Sequence, residues 1–127
     1  MKFSFKADYG LVYVRVEVAL DDREAILNLA LDTGASATII SAKKLTEVGY
    51  ELDKPEDEIY ITTGSGLIFV PKITIEKLTA LGKTKKNLTI IAHDLPPTAS
   101  VDGVLGLDFL RENVLTVDFV KGEIELK

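Results

Sequence analysis

In this 127-residue chain one acidic side chain is placed where it could do proton-transfer chemistry. Residues 26–41 read ILNLALDTGASATIIS, an apolar run leading directly into Asp32-Thr33-Gly34-Ala35. Alternation along the run would bury Leu27, Leu29 and Leu31 together. A carboxylate arriving after them is poorly solvated, which raises its proton affinity and suits it to act as an acid or a base. Gly34 permits a sharp backbone turn beside it, and the Thr33 hydroxyl can brace that turn by hydrogen bonding. The same tripeptide can also be a plain β-turn, since Asp and Gly are among the commonest turn residues.

Other chemistries are poorly served by the composition. There is no Cys, hence no disulfide framework, thiolate zinc site or cysteine nucleophile, and a single His cannot build a multi-histidine metal centre. His93 precedes a Pro-containing loop and reads as a surface residue without catalytic duty. No nucleophile-elbow pattern accompanies any of the five Ser. The charge sum of 15 Lys+Arg against 20 Asp+Glu gives a net charge of -5, which opposes a nucleic-acid partner. MKFSFKAD at the start lacks the apolar stretch of a signal peptide, and no apolar run approaches the roughly 20 residues of a membrane span. The expectation is a cytoplasmic protein with no membrane partner, folding residues 1–127 as a single domain.

The elements that must position Asp32 are mostly strands. Leu11 to Leu20, LVYVRVEVAL, puts Val12, Val14, Val16 and Val18 on one parity and Arg15 and Glu17 on the other, the period of a strand. Phe3–Ala7, Ala25–Leu31, Glu58–Thr62, Leu67–Val70, Ile73–Leu78, Asn87–Ala92, Val114–Phe119 and Glu123–Leu126 bring the candidates to nine, an all-β domain. Ser41 can cap a short helix through Ala42, Leu45 and Val48 that Gly49 ends, and a second helix fits Leu107–Asn113. DKPEDE between Leu52 and Glu58 and the Pro96-Pro97 stretch read as surface connections. KTKK at Lys83–Lys86 reads as a solvated hairpin tip.

A second motif, Val101–Leu110 (VDGVLGLDFL), leads Val104-Leu105-Gly106 into the second helix after a strand-rich interval. With it the chain resembles the retropepsin-like aspartic proteases, from about Tyr13 to Leu126. That family has an apolar strand ending in Asp-Thr-Gly-Ala or Asp-Thr-Gly-Ser, a flap hairpin, two apolar residues and Gly opening a helix, then terminal strands. All four occur here in that order, and the closing VDFVKGEIELK is similar to the C-terminal hairpin of cellular members. The resemblance implies a closed retropepsin-like β-barrel with a flap hairpin and one or two short helices, active as a homodimer. In it the Asp32 loop and the Val104-Leu105-Gly106 loop lie side by side, with Leu105 and Gly106 supporting the first.

The implied chemistry needs two carboxylates sharing one proton, and only one Asp-Thr-Gly is present. Asp102 and Asp108 read as a turn residue and a helix first-turn acid. The second aspartate is then Asp32 of a twin subunit across a two-fold axis. As in aspartic proteases generally, like charges about 3 Å apart cannot both ionise, so the dyad titrates as one unit. The charged member takes a proton from a water held between the two, and the protonated member stabilises the developing oxyanion on the scissile carbonyl. No metal and no cofactor are required. By resemblance Thr33 bonds across the axis, and Asp32, Thr33 and Gly34 form the catalytic loop. Ala35 cannot donate the hydrogen bond a Ser would, which implies a pH optimum less acidic than that of Ser-bearing relatives.

Glu58–Pro71, EIYITTGSGLIFVP, is assigned as the flap, with Gly64, Ser65 and Gly66 at its tip. An ordinary glycine hairpin is the alternative. By analogy Gly34, Ala35, Ile61, Ile68 and Val104 line mostly small apolar subsites for a peptide or protein substrate. Phe3–Ala7 and Glu123–Lys127 correspond to the usual dimer interface. Two other readings stand beside the enzyme: a catalytically silent dimer that holds extended peptide segments, and a structural dimerisation unit.

Overall fold

The structure, a computed structural model, describes residues 1–53 and 57–127, and of residues 57, 58, 60, 61 and 63 the backbone alone. In chain order the elements are β1 (Lys2–Ser4), β2 (Tyr13–Leu20), β3 (Arg23–Leu31), β4 (Ile39–Ile40), α1 (Ala42–Val48), β5 (Asp57–Thr63), β6 (Gly66–Ala80), β7 (Lys83–Ala92), β8 (Gly103–Leu105), α2 (Leu107–Leu110), β9 (Leu115–Asp118) and β10 (Glu123–Leu126), with one turn of 3-10 helix at Pro97–Ala99. Strands β2, β3, β8, β4, β7 and β6 are hydrogen-bonded in that order, and β6 returns to pair with β2. The ring is therefore a closed six-stranded barrel without free edges of its own. β5 hangs on β6 outside the ring, and β1, β10 and β9 form a separate three-stranded sheet in that order.

The alternation in β2 and β3 does what its period dictates. Val14, Val16 and Val18 from β2 and Leu27 and Leu29 from β3 point inward, against Ile73, Ile75 and Leu78 of β6, Ile90 of β7, and Leu105 and Phe109. Burying each such side chain contributes roughly 1.5–3 kcal/mol relative to leaving it in water. Leu31, the last residue before the aspartate, is only partly buried.

α1 starts as its sequence predicts. Ser41 Oγ accepts from the Lys44 N–H (3.2 Å), and Gly49, at φ 121°, ends the helix with its N–H on the Leu45 carbonyl. Ser41 Oγ also donates to Asp94 Oδ1 (2.7 Å), which accepts from the Lys43 N–H as well (3.2 Å). These bonds, the Ser41 one foremost, hold the Asp94 carboxyl below its ordinary range. Just beyond α1, the Tyr50 hydroxyl donates to the Ala19 carbonyl (2.7 Å) and accepts from the Glu76 N–H (3.0 Å), and burial pushes its pKa up.

Several expectations need correction. Leu67–Val70 and Ile73–Leu78 are one strand, β6. Pro71 is accommodated because β6 changes partner there, from β5 to β7, with Lys72 facing both. Lys83–Lys86 is not a hairpin tip but the first part of β7. The two-residue turn is Leu81-Gly82, both at positive φ (53° and 77°), so that Ala80 faces Lys83. β4 and β8 were missed, being two and three residues long and too short to show a period. β1 ends at Ser4 and α2 at Leu110, each shorter than expected. Lys54, Pro55 and Glu56 of the DKPEDE connection lie outside the described residues.

Candidate active site

β3 ends at Leu31, and the chain passes under β8, which runs parallel to it with Ala30 opposite Val104 and Leu31 opposite Leu105. β4 meets the other side of β8 antiparallel, Ile39 opposite Val104 and Ile40 opposite Gly103. Residues 32–38 thus leave one flank of β8 and return to the other. Gly103, at φ +153°, is required at this crossing because a Cβ there would run into the Ile39 carbonyl oxygen.

The aspartate loop is fixed through its main chain. The Asp32 N–H donates to the Leu105 carbonyl (3.0 Å), the Ala35 N–H to the Asp32 carbonyl (3.2 Å), and the Leu107 N–H to the Ala35 carbonyl (2.8 Å). Asp32 Oδ1 accepts from the Gly34 N–H (2.9 Å), which sets the carboxyl's orientation. Gly106 lies so close beneath that a Cβ would stand 2.8 Å from the Ala35 carbonyl oxygen and from the Ala37 carbonyl carbon. The two motifs are therefore brought together, as the resemblance implied.

Sequence reasoning assigned the bracing of this turn to Thr33, and that is not what the structure shows. Thr33 is exposed and makes no hydrogen bond among the described residues. The brace is Thr38, the one fully buried polar side chain among them. Its hydroxyl donates to Asp108 Oδ1 (2.6 Å) and accepts from the Gly106 N–H (3.0 Å), and its own N–H donates to Asp108 Oδ2 (2.9 Å). Asp108 stands in the first turn of α2 as predicted and accepts from the Phe109 N–H (2.8 Å), but its carboxylate also ties the two loops together. The available signal was a hydroxyl inside the apolar run Ala37–Ile40. Asp102 is structural as expected: Oδ2 accepts from the Asn28 N–H (2.9 Å) and its carbonyl from the Ser41 N–H (2.7 Å).

The remaining candidates lie on the Asp32 loop, on β8 and on the β5–β6 hairpin. Asp32 and Ala35 are half-buried, Gly34 is exposed, and Val104 is half-buried on β8 between its two partners. The β5–β6 hairpin closes with Thr63 opposite Gly66, leaving Gly64 and Ser65 as its two-residue loop. Gly66 is at φ +114°, and no atom lies within 4 Å of where a Cβ would stand on Gly64 or Gly66. Ile68 is half-buried, while Leu67 and Phe69 beside it are 66% and 57% exposed. Ile61 pairs with Ile68 through its backbone, and its side chain lies outside the described residues. His93 engages through its N–H, which donates to the Ile40 carbonyl (3.0 Å). No group of side chains that could hold a metal ion occurs among the described residues.

A closed barrel in which one Asp-Thr-Gly loop crosses an apolar-apolar-Gly loop opening a helix defines the class of a single-lobe aspartic protease. The family described as "gag-polyprotein putative aspartyl protease" matches residues 16–112, and the chain belongs to that family. Its structure is similar to the crystal structure of a retropepsin-like aspartic protease from Rickettsia conorii. The TM-score is 0.70 at 22% identity, over 99% of this chain and 88% of the other, a likeness of fold. No curated protein matches the sequence.

Proposed function

We propose that the chain is an aspartic endopeptidase whose active site is assembled from two copies, each giving one Asp32. The observation that carries this is the fixed Asp32 carboxyl, oriented by the Gly34 N–H at 2.9 Å on a loop that Leu105 anchors, in a chain with one Asp-Thr-Gly. Two carboxylates across a two-fold axis share one proton. The ionised Asp32 takes a proton from the water between them, and the resulting hydroxide attacks the scissile carbonyl carbon. The protonated Asp32 gives its proton to the carbonyl oxygen, forming a neutral diol. Collapse of the diol returns a proton through the dyad to the leaving amine. Thr33, exposed within one protomer, is free to bond across the axis.

The hairpin tip of Gly64, Ser65 and Gly66 acts as the flap, pairing with an extended substrate and excluding water from the dyad. Ala35, Ile61, Ile68 and Val104 give apolar subsites. Ala35 supports Asp32 with main-chain bonds only, so the dyad works at a less acidic pH than one flanked by a serine hydroxyl.

The test is incubation with a diverse peptide mixture from about pH 3.5 to 7.5, read by mass spectrometry beside Asp32→Asn. Cleavage is expected in the wild type, lost by orders of magnitude in Asp32→Asn while that variant keeps its assembly. A dimeric wild type that cleaves nothing overturns the catalytic reading and leaves a peptide-binding module. A pH maximum below about 4 contradicts the role given to Ala35.

A further inference from the structure

One residue of the KTKK run does not behave as surface. Lys83, Thr84 and Lys86 are exposed, whereas Lys85 is half-buried. It stands opposite Leu78 in the β6–β7 ladder, and directly opposed residues share a face of the sheet. Leu78 is fully buried, so Lys85 leaves its strand on the core-facing side. A cation there costs desolvation, and an apolar side chain in its place would fold as well or better. The side chain carries the ammonium past the fully buried Phe109, 5.7 Å from the ring centroid, to the main-chain carbonyl of Asp108 at 3.0 Å.

That carbonyl needs a partner. α2 is a single turn, in which the Leu110 N–H donates to the Gly106 carbonyl (3.4 Å) and the Arg111 N–H to the Leu107 carbonyl (2.9 Å). The chain then leaves the helix at Arg111 (ψ 150°), and no backbone N–H among the described residues reaches the Asp108 carbonyl. Lys85 therefore caps the open end of α2 from β7.

The other end of the same turn belongs to the site. The Gly106 N–H donates to the Thr38 hydroxyl (3.0 Å), the Leu107 N–H to the Ala35 carbonyl (2.8 Å), and the Asp108 carboxylate accepts from the Thr38 hydroxyl and N–H. In a helix of four residues, what loosens one end loosens the other. A residue that breaks the inward apolar pattern of its strand, at a cost to folding, is expected where geometry at a site depends on it.

We propose, on the reading of the protein as an aspartic endopeptidase, that Lys85 is a positioning residue: its ammonium clamps α2, and α2 holds the Asp32 loop in its working geometry. Lys85 acts through Asp108, Leu107 and Ala35.

The test compares Lys85→Met, Lys85→Arg and Lys86→Met, the last removing the same charge from the exposed neighbour. Lys85→Met is expected to unfold in urea at the wild-type midpoint or above it, while kcat falls roughly 10- to 100-fold with KM little changed. Lys85→Arg, whose guanidinium can bond the same carbonyl, restores most of kcat, and Lys86→Met leaves both constants unchanged. Apart from catalysis, amide hydrogen exchange at Gly106 and Leu107 should speed about tenfold in Lys85→Met, with β2 unaltered.

A kcat loss equalled in Lys86→Met would assign the effect to net charge, and one explained by a lower urea midpoint would assign it to folding. Either overturns the proposal, as does unchanged exchange at Gly106 and Leu107 in Lys85→Met. A wild type that cleaves nothing overturns the endopeptidase reading, and amide exchange then decides for or against Lys85 by itself.

Discussion

At the residue scale the candidate site depends on one hydroxyl as much as on its carboxyl. Thr38 is fully buried and satisfies the Gly106 N–H and Asp108 at once, so its one side chain ties the two loops together beside their main-chain bonds. Thr38→Val keeps shape and removes the hydroxyl, leaving the Gly106 N–H buried without an acceptor. That should cost about 1–3 kcal/mol, seen as a lower midpoint in urea unfolding. Because Gly106 packs against the Ala35 and Ala37 carbonyls, cleavage should fall by more than the loss of folded protein explains, and Thr38→Ser should restore most of it. A Thr38→Val variant with unchanged kcat would show that the hydroxyl braces the barrel and not the aspartate. Asp32 itself was legible from its place after ILNLAL. Thr38 was not, because a hydroxyl in an apolar run shows no partner until the facing element is known.

At the element scale, helix capping was read well where the partners are local. Ser41 and Gly49 bound α1 as their types require. What escaped was Asp94, which reaches Ser41 Oγ and the Lys43 N–H from the far end of β7. Its folded pKa lies below the ordinary value of 3.8, so its contribution to stability is full above about pH 4 and is lost as pH falls through the folded value. Asp94 is exposed, which keeps that contribution under about 1 kcal/mol. Unfolding of Asp94→Ala beside the wild type should show the difference at pH 7 and none near about pH 2. A gap that persisted in acid would mean that Asp94 acts through packing. The Lys83–Lys86 misreading has another origin: four polar residues look like a tip, whereas a Leu-Gly turn with both residues at positive φ reads as the end of an apolar strand.

At the scale of the whole molecule, a barrel closed by β2–β6 pairing carries one Asp-Thr-Gly loop and one β5–β6 hairpin per chain. If two chains make the site, activity is a property of the pair. Below the dissociation constant the cleavage rate should rise with about the second power of protein concentration, and above it with about the first. Initial rates over a dilution series, matched to sedimentation on the same samples, check this. First-power behaviour throughout, in a demonstrated monomer, would require a second carboxyl from within the chain, and Asp102 and Asp108 are both engaged in backbone bonds elsewhere.

The pairing of the Asp32 motif with the Val104-Leu105-Gly106 motif was implied only by the family resemblance, whereas the sequence by itself determined the strand-rich class, the inward faces of β2 and β3, and the ends of α1. Those features are written in period, caps and turn residues, which act over a few positions along the chain. The tertiary structure decided how those pieces interlock: β8 inserted between β3 and β4, Thr38 joined to Asp108, and β10 enclosed between β1 and β9. Two- and three-residue strands carry no period. A bond between residues seventy positions apart leaves no mark at either end, so these contacts exist only once the barrel has closed.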